Sequence, residues 1–268
     1  MSTMSSHEGI GRPSQRGGIL ELLQAVLQSC LAGWRRLSVW PPVGLVRFGS
    51  LRRTTPISRV FGLDRGERGR CIDIVFIERF LKERQSDIRG RVLEIGDDRY
   101  TKRFGGGNVD RSDVWHVRPG GGATIVADLT SAETVASESF DCIICTQTLQ
   151  FIYDVHAALR TLHRILRPGG VLLASFTGIS QISRYDMDRW GDYWRFTTAS
   201  ARRLFEECWP PDQVSVQARG NALLAIAYLH GLTVDELQPE ELEALDDDFQ
   251  LVITVRAAKP ILHNGAQA

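Results

Sequence analysis

"FDCIICTQTLQFIYDVHAALRTLHRILRPGGVLLAS", residues 140–175, holds two apolar runs separated by an amphipathic stretch. "FDCIICTQ" (140–147) reads as a strand that is apolar along most of its length. In 154–167, Val155, Ala158, Leu159, Leu162, Ile165 and Leu166 recur at helical spacing and form one buried stripe. "RPGG" (167–170) is expected to end that helix, because proline cannot continue its hydrogen bonding. "VLLASF" (171–176) is then a second strand. Apolar strands joined by a helical crossover indicate a parallel sheet covered on both faces. The crossover should be right-handed.

The same alternation extends outward. "RVLEIG" (91–96), "DVWHV" (113–117) and "ATIVAD" (123–128) read as three earlier strands. Thr197 is an expected N-cap for a helix with Ala201, Leu204 and Phe205 turned inward. "QVSVQAR" (213–219) and "FQLVITVRA" (249–257) supply two last strands, an antiparallel pair at the sheet edge. The expected fold is α/β: a doubly wound, mostly parallel seven-stranded sheet with an N-terminal helical extension. Residues 1–18 read as a disordered leader and 19–87 as an extension packing on the core. Residues 88–260 form the main domain and 261–268 a tail.

Within the extension, 19–34 and 72–84 read as helices, the first ended by "WPPVG" (40–44). The first is apolar around more than half its circumference. It is expected to be buried against the domain, a second subunit or a membrane interface. A homo-oligomer formed through this helix is one such expectation.

The 268 residues carry 32 Lys and Arg against 32 Asp and Glu, so a nucleic-acid partner is not expected. Residues 1–70 hold eleven Arg and four acids, while 231–250 hold eight acids and no base. The five cysteines are odd in number and scattered, which argues against a disulfide framework. Cys142 and Cys145 have CxxC spacing but lie three apart on a strand, so they should point to opposite faces. The N-terminus lacks a signal-peptide pattern, and no run of 18 apolar residues occurs, which predicts a cytoplasmic protein without a membrane span.

In a sheet of this kind ligands lie beyond the carboxyl ends of the strands. "RVLEIGDDRYTKRFGGG" (91–107) puts Gly96 at such an end, where a ligand can approach the backbone. A dinucleotide site would need GxGxxG, with its pyrophosphate on a helix N-terminus. Asp97 and Asp98 stand there instead and would repel it. Gly105–Gly107 reads as a turn before the second strand.

The segment 140–175 resembles the fourth strand, helix and fifth strand of the class I S-adenosylmethionine-dependent methyltransferases, and within them the small-molecule branch called methyltransferase type 11. Phe140-Asp141, Leu149, Asp154 and Arg164–Gly170 carry the resemblance. With "VLEIG" and "VADL" it covers about residues 88–206. "VRFGSLRRTTPISRVFGLDRG", "DIRGRVLEIGDDRYTKRFGG" and "SRYDMDRWGDYWRFT" are similar to a bacterial subgroup found near glycan or secondary-metabolite genes.

The resemblance implies S-adenosylmethionine as cofactor, a phosphate-free cation that acidic residues suit. It implies that Glu94 and Gly96, with Asp97 beside them, hold its methionine end. Asp128 would accept from the adenine amino group, and Gln147 and Thr148 would line the methionine pocket. The family's ribose-binding acid is absent. His116 stands near its place and either bonds a ribose hydroxyl or packs in the strand core.

The acceptor surface is expected over 183–196. Tyr185, Trp190, Tyr193 and Trp194 offer flat faces, and Arg184 and Arg195 could orient polar groups. Asp186 or Asp192 is the expected base. His156 reads as a solvated helix residue, and no metal cluster is apparent. The expected reaction is methyl transfer to oxygen, less readily nitrogen, of a small molecule, sugar or secondary metabolite. Two alternatives stand beside it: a non-catalytic binding or assembly module of the same fold, and an NAD-dependent enzyme, against which the missing GxGxxG counts.

Overall fold

The computed structural model describes residues 23–31, 33–34, 49–59 and 68–261. The leader, "WPPVG" and all of the tail but Ile261 lie outside the described residues. Chain contacts divide the protein into two compact units, Met1–Thr54 and Thr55–Ala268. In the first, residues 23–31 and 33–34 are helical (α1), and a 3-10 turn spans Gly49–Leu51. Within that unit Leu23, Val26, Leu27, Leu31 and Trp34 are exposed.

The second unit is built on seven strands: β1 (Gly90–Ile95), β2 (Val109–His116), β3 (Ile125–Val126), β4 (Phe140–Thr146), β5 (Leu166–Thr177), β6 (Val214–Arg219) and β7 (Val252–Ala258). Their order is β3-β2-β1-β4-β5-β7-β6. The first five are parallel, and β7 runs antiparallel to both β5 and β6. The seven-stranded, mostly parallel, doubly wound sheet is therefore as the sequence predicts. The order reverses between β1 and β4, which opens a crevice at their carboxyl ends.

Two apolar clusters cover the faces. α3 (Val155–Ile165) and α5 (Thr198–Glu206) pack on one. α2 (Ile72–Glu83) and α6 (Ala222–Leu229) pack on the other. Cys145 belongs to the first cluster and Cys142 to the second, as strand alternation requires. Burial pushes the Cys145 thiol up to about 12 and raises Cys142 as well. Neither is a thiolate near neutral pH.

The structure corrects several boundaries. Ile72, Phe76, Ile77, Phe80 and Leu81 of α2 pack with Val92, Cys142 and Ile144 of the sheet. Each such burial contributes roughly 1.5–3 kcal/mol, so α2 packs on the core, within the compact unit Thr55–Ala268. β2 begins four residues before "DVWHV", at Val109, so Asp113 lies within the strand. β3 is only two residues long. The helix α3 ends at Ile165, before "RPGG". That segment belongs to the extended chain of β5, where the Gly169 amide donates to Lys259 O (2.7 Å).

Further elements carry no clear period in the sequence. α6 is apolar around its whole circumference and is capped by Asn221, which accepts from the Leu224 amide (2.9 Å). Two short helices follow the same logic of capping: α4 (Arg184–Met187) and α7 (Pro239–Glu243). Thr197 caps α5 through a reciprocal pair with Ser200. Among the described residues no helix is long and apolar enough to cross a membrane, and no group of three or more His, Cys, Asp or Glu could hold a metal ion.

Candidate functional site

The chain leaves β1 at Gly96 with φ +98°, a conformation that L side chains rarely adopt. Its amide donates to Trp115 O (2.8 Å), which fixes the turn against β2. A Cβ built there meets nothing within 4 Å. The glycine therefore serves both backbone and open space.

Glu94 is 2% exposed and does not face that space. Its carboxylate accepts from the Tyr100 amide (3.1 Å), the Thr101 amide (2.7 Å) and the Thr101 hydroxyl (2.8 Å). It holds the loop after β1 in place. Burial pushes its carboxyl up to about 7, against those three donors. The native group binds its proton more tightly than the unfolded one, whose value is near 4.5. Its contribution to stability is therefore greatest below about 4.5 and falls as pH rises to 7. Comparing thermal melts from pH 5 to pH 8, we expect Glu94→Gln to show a smaller loss of melting temperature than the parent protein. Equal slopes for the two would contradict this origin.

β4 ends in a second unusual turn. Gln147 has φ +48°, which a residue with a side chain adopts only under constraint. Its amide donates to Ser175 O (2.8 Å). Its Oε1 accepts from Gln150 Nε2 (2.7 Å), while its own Nε2 is buried without a partner. Thr148 follows, its hydroxyl donating to Thr146 O (2.9 Å). Beyond β3, Asp128 accepts from the amide and hydroxyl of Thr130, each at 2.8 Å. At the end of β2, His116 accepts at Nδ1 from the Arg118 amide (3.0 Å) and sets its ring edge to Trp190.

Gly96, His116, Asp128, Gln147 and Thr148 meet around one cavity of about 570 Å³, a size suited to a cofactor. Ile95, Trp115, Leu129 and Phe151 supply apolar walls. Three carboxylates, Asp128, Asp154 and Asp186, line it, and among the described residues no Lys or Arg does.

Of the residues expected at the cofactor, Glu94 and Asp97 lie outside this wall. Asp97 turns back to accept from the Arg99 amide (2.9 Å). Of those expected at the acceptor, Asp186, Trp190 and Tyr193 line the cavity. Tyr185, Asp192 and Arg195 line a neighbouring one. Asp192 is held by Arg195 (2.5 Å) and the Ser183 amide (2.8 Å). Trp194 stacks on Tyr153 and donates to Ile152 O (3.0 Å). Arg184 is exposed and pairs with Asp188 (2.7 Å). His156 is exposed beside Glu207 (2.7 Å), on the outer face of α3. Asp73, Gln150 and Tyr228, which the sequence does not mark, join the neighbouring cavity.

The family described as a methyltransferase domain matches residues 108–174, which run from the start of β2 into β5. No curated protein matches the chain. Solved structures of similar shape include an S-adenosylmethionine dependent methyltransferase from Mesorhizobium loti, at 16% identity, covering 70% of this chain and 98% of that one with a TM-score of 0.45. Another is a SAM dependent methyltransferase from Archaeoglobus fulgidus, at 10% identity over 69% and 94%, TM-score 0.46. A third is the YcgJ protein from Bacillus subtilis, at 14% identity over 69% and 99%, TM-score 0.42. Residues 108–174 thus match the methyltransferase-domain family, and the sheet around them has the Rossmann-like methyltransferase fold.

Proposed function

We propose that the chain binds S-adenosylmethionine in the larger cavity and transfers a methyl group to oxygen, less readily nitrogen, of a small molecule, sugar or secondary metabolite. The observation that carries this reading is the cavity wall at the carboxyl ends of β1, β2 and β4. It combines an open glycine floor at Gly96 with three carboxylates and, among the described residues, no basic residue. A cation with a free amino-acid end suits that wall. A pyrophosphate facing three carboxylates does not, which counts against a nicotinamide dinucleotide.

Asp128 would take the adenine amino group, His116 a ribose hydroxyl and Thr148 the methionine end, with Gln147 on the wall shared with the neighbouring cavity. When bound, the cofactor supplies an electrophilic methyl on a positively charged sulfur that departs as a neutral thioether. The protein's remaining work is alignment and removal of the acceptor's proton. Trp190 and Tyr193 give flat surfaces for a ring. Asp186 is the better candidate for the proton, because Asp192 is committed to Arg195 and Ser183. Glu94 acts at one remove, by fixing the loop over Tyr100 and Thr101.

Calorimetric titration with S-adenosylhomocysteine tests the reading. We expect binding by the parent protein, and Asp128→Ala to weaken it about tenfold, near 1.4 kcal/mol. No heat at millimolar ligand would overturn the proposal. The second reading, a binding module without turnover, draws support from His116 standing where a carboxylate would clasp the ribose. It predicts cofactor binding with no methyl transfer to any acceptor.

A further inference from the structure

A second cavity of about 330 Å³ adjoins the first and shares Gln147, Phe151 and Asp186 with it. Its far walls come from distant parts of the chain: Asp73 from α2, Tyr228 from α6, and Gln181 from the segment after β5. Asp73 is 5% exposed and Gln150 is 3% exposed. Tyr228 donates its hydroxyl to the Asp73 carboxylate, yet Asp73 Oδ1 has no partner. Gln150 spends its Nε2 on Gln147 and leaves Oε1 unpaired. Gln181 Oε1 is also unpaired, as is Gln147 Nε2. Buried polar atoms without partners are few in native proteins. Four of them line this one cavity and set what a ligand there must offer.

Three of the four are acceptors and one is a donor. The occupant must therefore donate several hydrogens and also accept one. An ammonium group cannot accept, so it would leave Gln147 Nε2 unpaired. A carboxylate or phosphate would face Asp73, Asp186 and Asp192, with Arg195 already paired to Asp192. Hydroxyls do both jobs without charge. Phe151, Tyr185 and Tyr228 add ring surfaces for the carbon skeleton.

We infer that this second cavity holds the methyl acceptor, and that the acceptor is an uncharged polyhydroxy compound, a sugar unit whose hydroxyls bond Asp73, Gln150 and Gln181. The inference rests on the methyltransferase reading above. Asp186, on the wall common to both cavities, faces the hydroxyl that is methylated. Burial also raises the Asp73 carboxyl, which weakens its pull on a cation and so favours an uncharged guest over a cationic one.

Saturation-transfer NMR on the full chain, loaded with S-adenosylhomocysteine, tests this. Methyl α-D-glucoside and methyl α-L-rhamnoside are the probes, with 2-phenylethylamine and benzoate as charged controls. We expect transfer to the ring protons of at least one glycoside. In Asp73→Leu and Gln181→Met that transfer should fall at least fivefold, with S-adenosylhomocysteine affinity within twofold of the parent. If Asp73→Leu does not fold, Gln181→Met, at a half-buried position outside the core clusters, decides alone. The inference is overturned by loaded protein that shows no glycoside signal, by signals unchanged in the folded variants, or by a charged control that binds better. Failure of the parent protein to bind S-adenosylhomocysteine would be a different result, removing the methyltransferase reading beneath it.

Discussion

Replacing Gly96 by valine is expected to weaken S-adenosylhomocysteine binding at least about 100-fold, near 2.7 kcal/mol, while the sheet stays folded. Two separate effects act at this position. At φ +98° any L side chain is strained, at a cost on the order of 1–3 kcal/mol. The Cβ meets nothing within 4 Å, so no core contact is broken, and that strain is the main charge against stability. Binding suffers for another reason: the branched side chain projects into the cavity that Gly96 floors. Gly96→Ala has the same backbone strain with a single methyl and should lose only about tenfold, near 1.4 kcal/mol. The graded series separates a filled site from a distorted turn. If alanine and valine lose affinity equally, the turn is responsible and Gly96 does not border the ligand.

The sequence pattern is most legible where two periods meet. In 140–175 the apolar strand and the 3.6-residue stripe of α3 are distinct, and both appear where expected. β2 begins earlier than its apolar run because "VDRS" (109–112) is polar and looks like a loop. Its backbone nonetheless pairs with β1 from Gly90 opposite Val109, and Arg91 and Arg111 converge there on Asp113. α6 was unreadable for the opposite reason: "ALLAIAYL" is apolar on every side and has no period to recognise. At the site, Gly96 and the turn at Gln147 and Thr148 follow from strand ends, which local pattern marks. The direction of a side chain does not follow. Glu94 reads as a ligand residue but bonds its own loop. Asp186 in α4 accepts from the Ser183 hydroxyl, while Asp192 accepts from Arg195 and the Ser183 amide, and no local pattern separates the two. Asp73 reads as an ordinary first-turn helix acid, because its meeting with Gln150 and Tyr228 depends on how α2 and α6 pack.

Asp113→Ala is expected to destabilise the protein by about 3–5 kcal/mol, lowering its melting temperature by roughly 10 °C, without changing cofactor affinity in the folded protein. Asp113 is 1% exposed and lies opposite Leu93 in the middle of the β1–β2 pairing. It accepts from Arg91 Nε (2.7 Å), Arg111 (3.0 Å) and the Thr124 hydroxyl (3.1 Å). Burial acts to raise its carboxyl, but the two guanidinium partners outweigh burial and hold it below the usual range. The alanine variant leaves the Arg91 guanidinium without its carboxylate, over the Phe140 ring and only partly exposed. Asp113→Asn keeps an acceptor for Arg91 and should cost less, about 1–2 kcal/mol. The pH dependence runs opposite to that of Glu94. Asp113 stabilises above its unfolded value near 3.8, and that contribution is lost as pH falls through its lower native value. Alanine at 113 should thus remove stability across pH 5 to 8 evenly, whereas glutamine at 94 changes the slope in that window. Asp113 does not line the cavity, so S-adenosylhomocysteine titration well below the variant's melting point should match the parent. A large loss of affinity there would instead make Asp113 the ribose-side acid and displace His116 from that role.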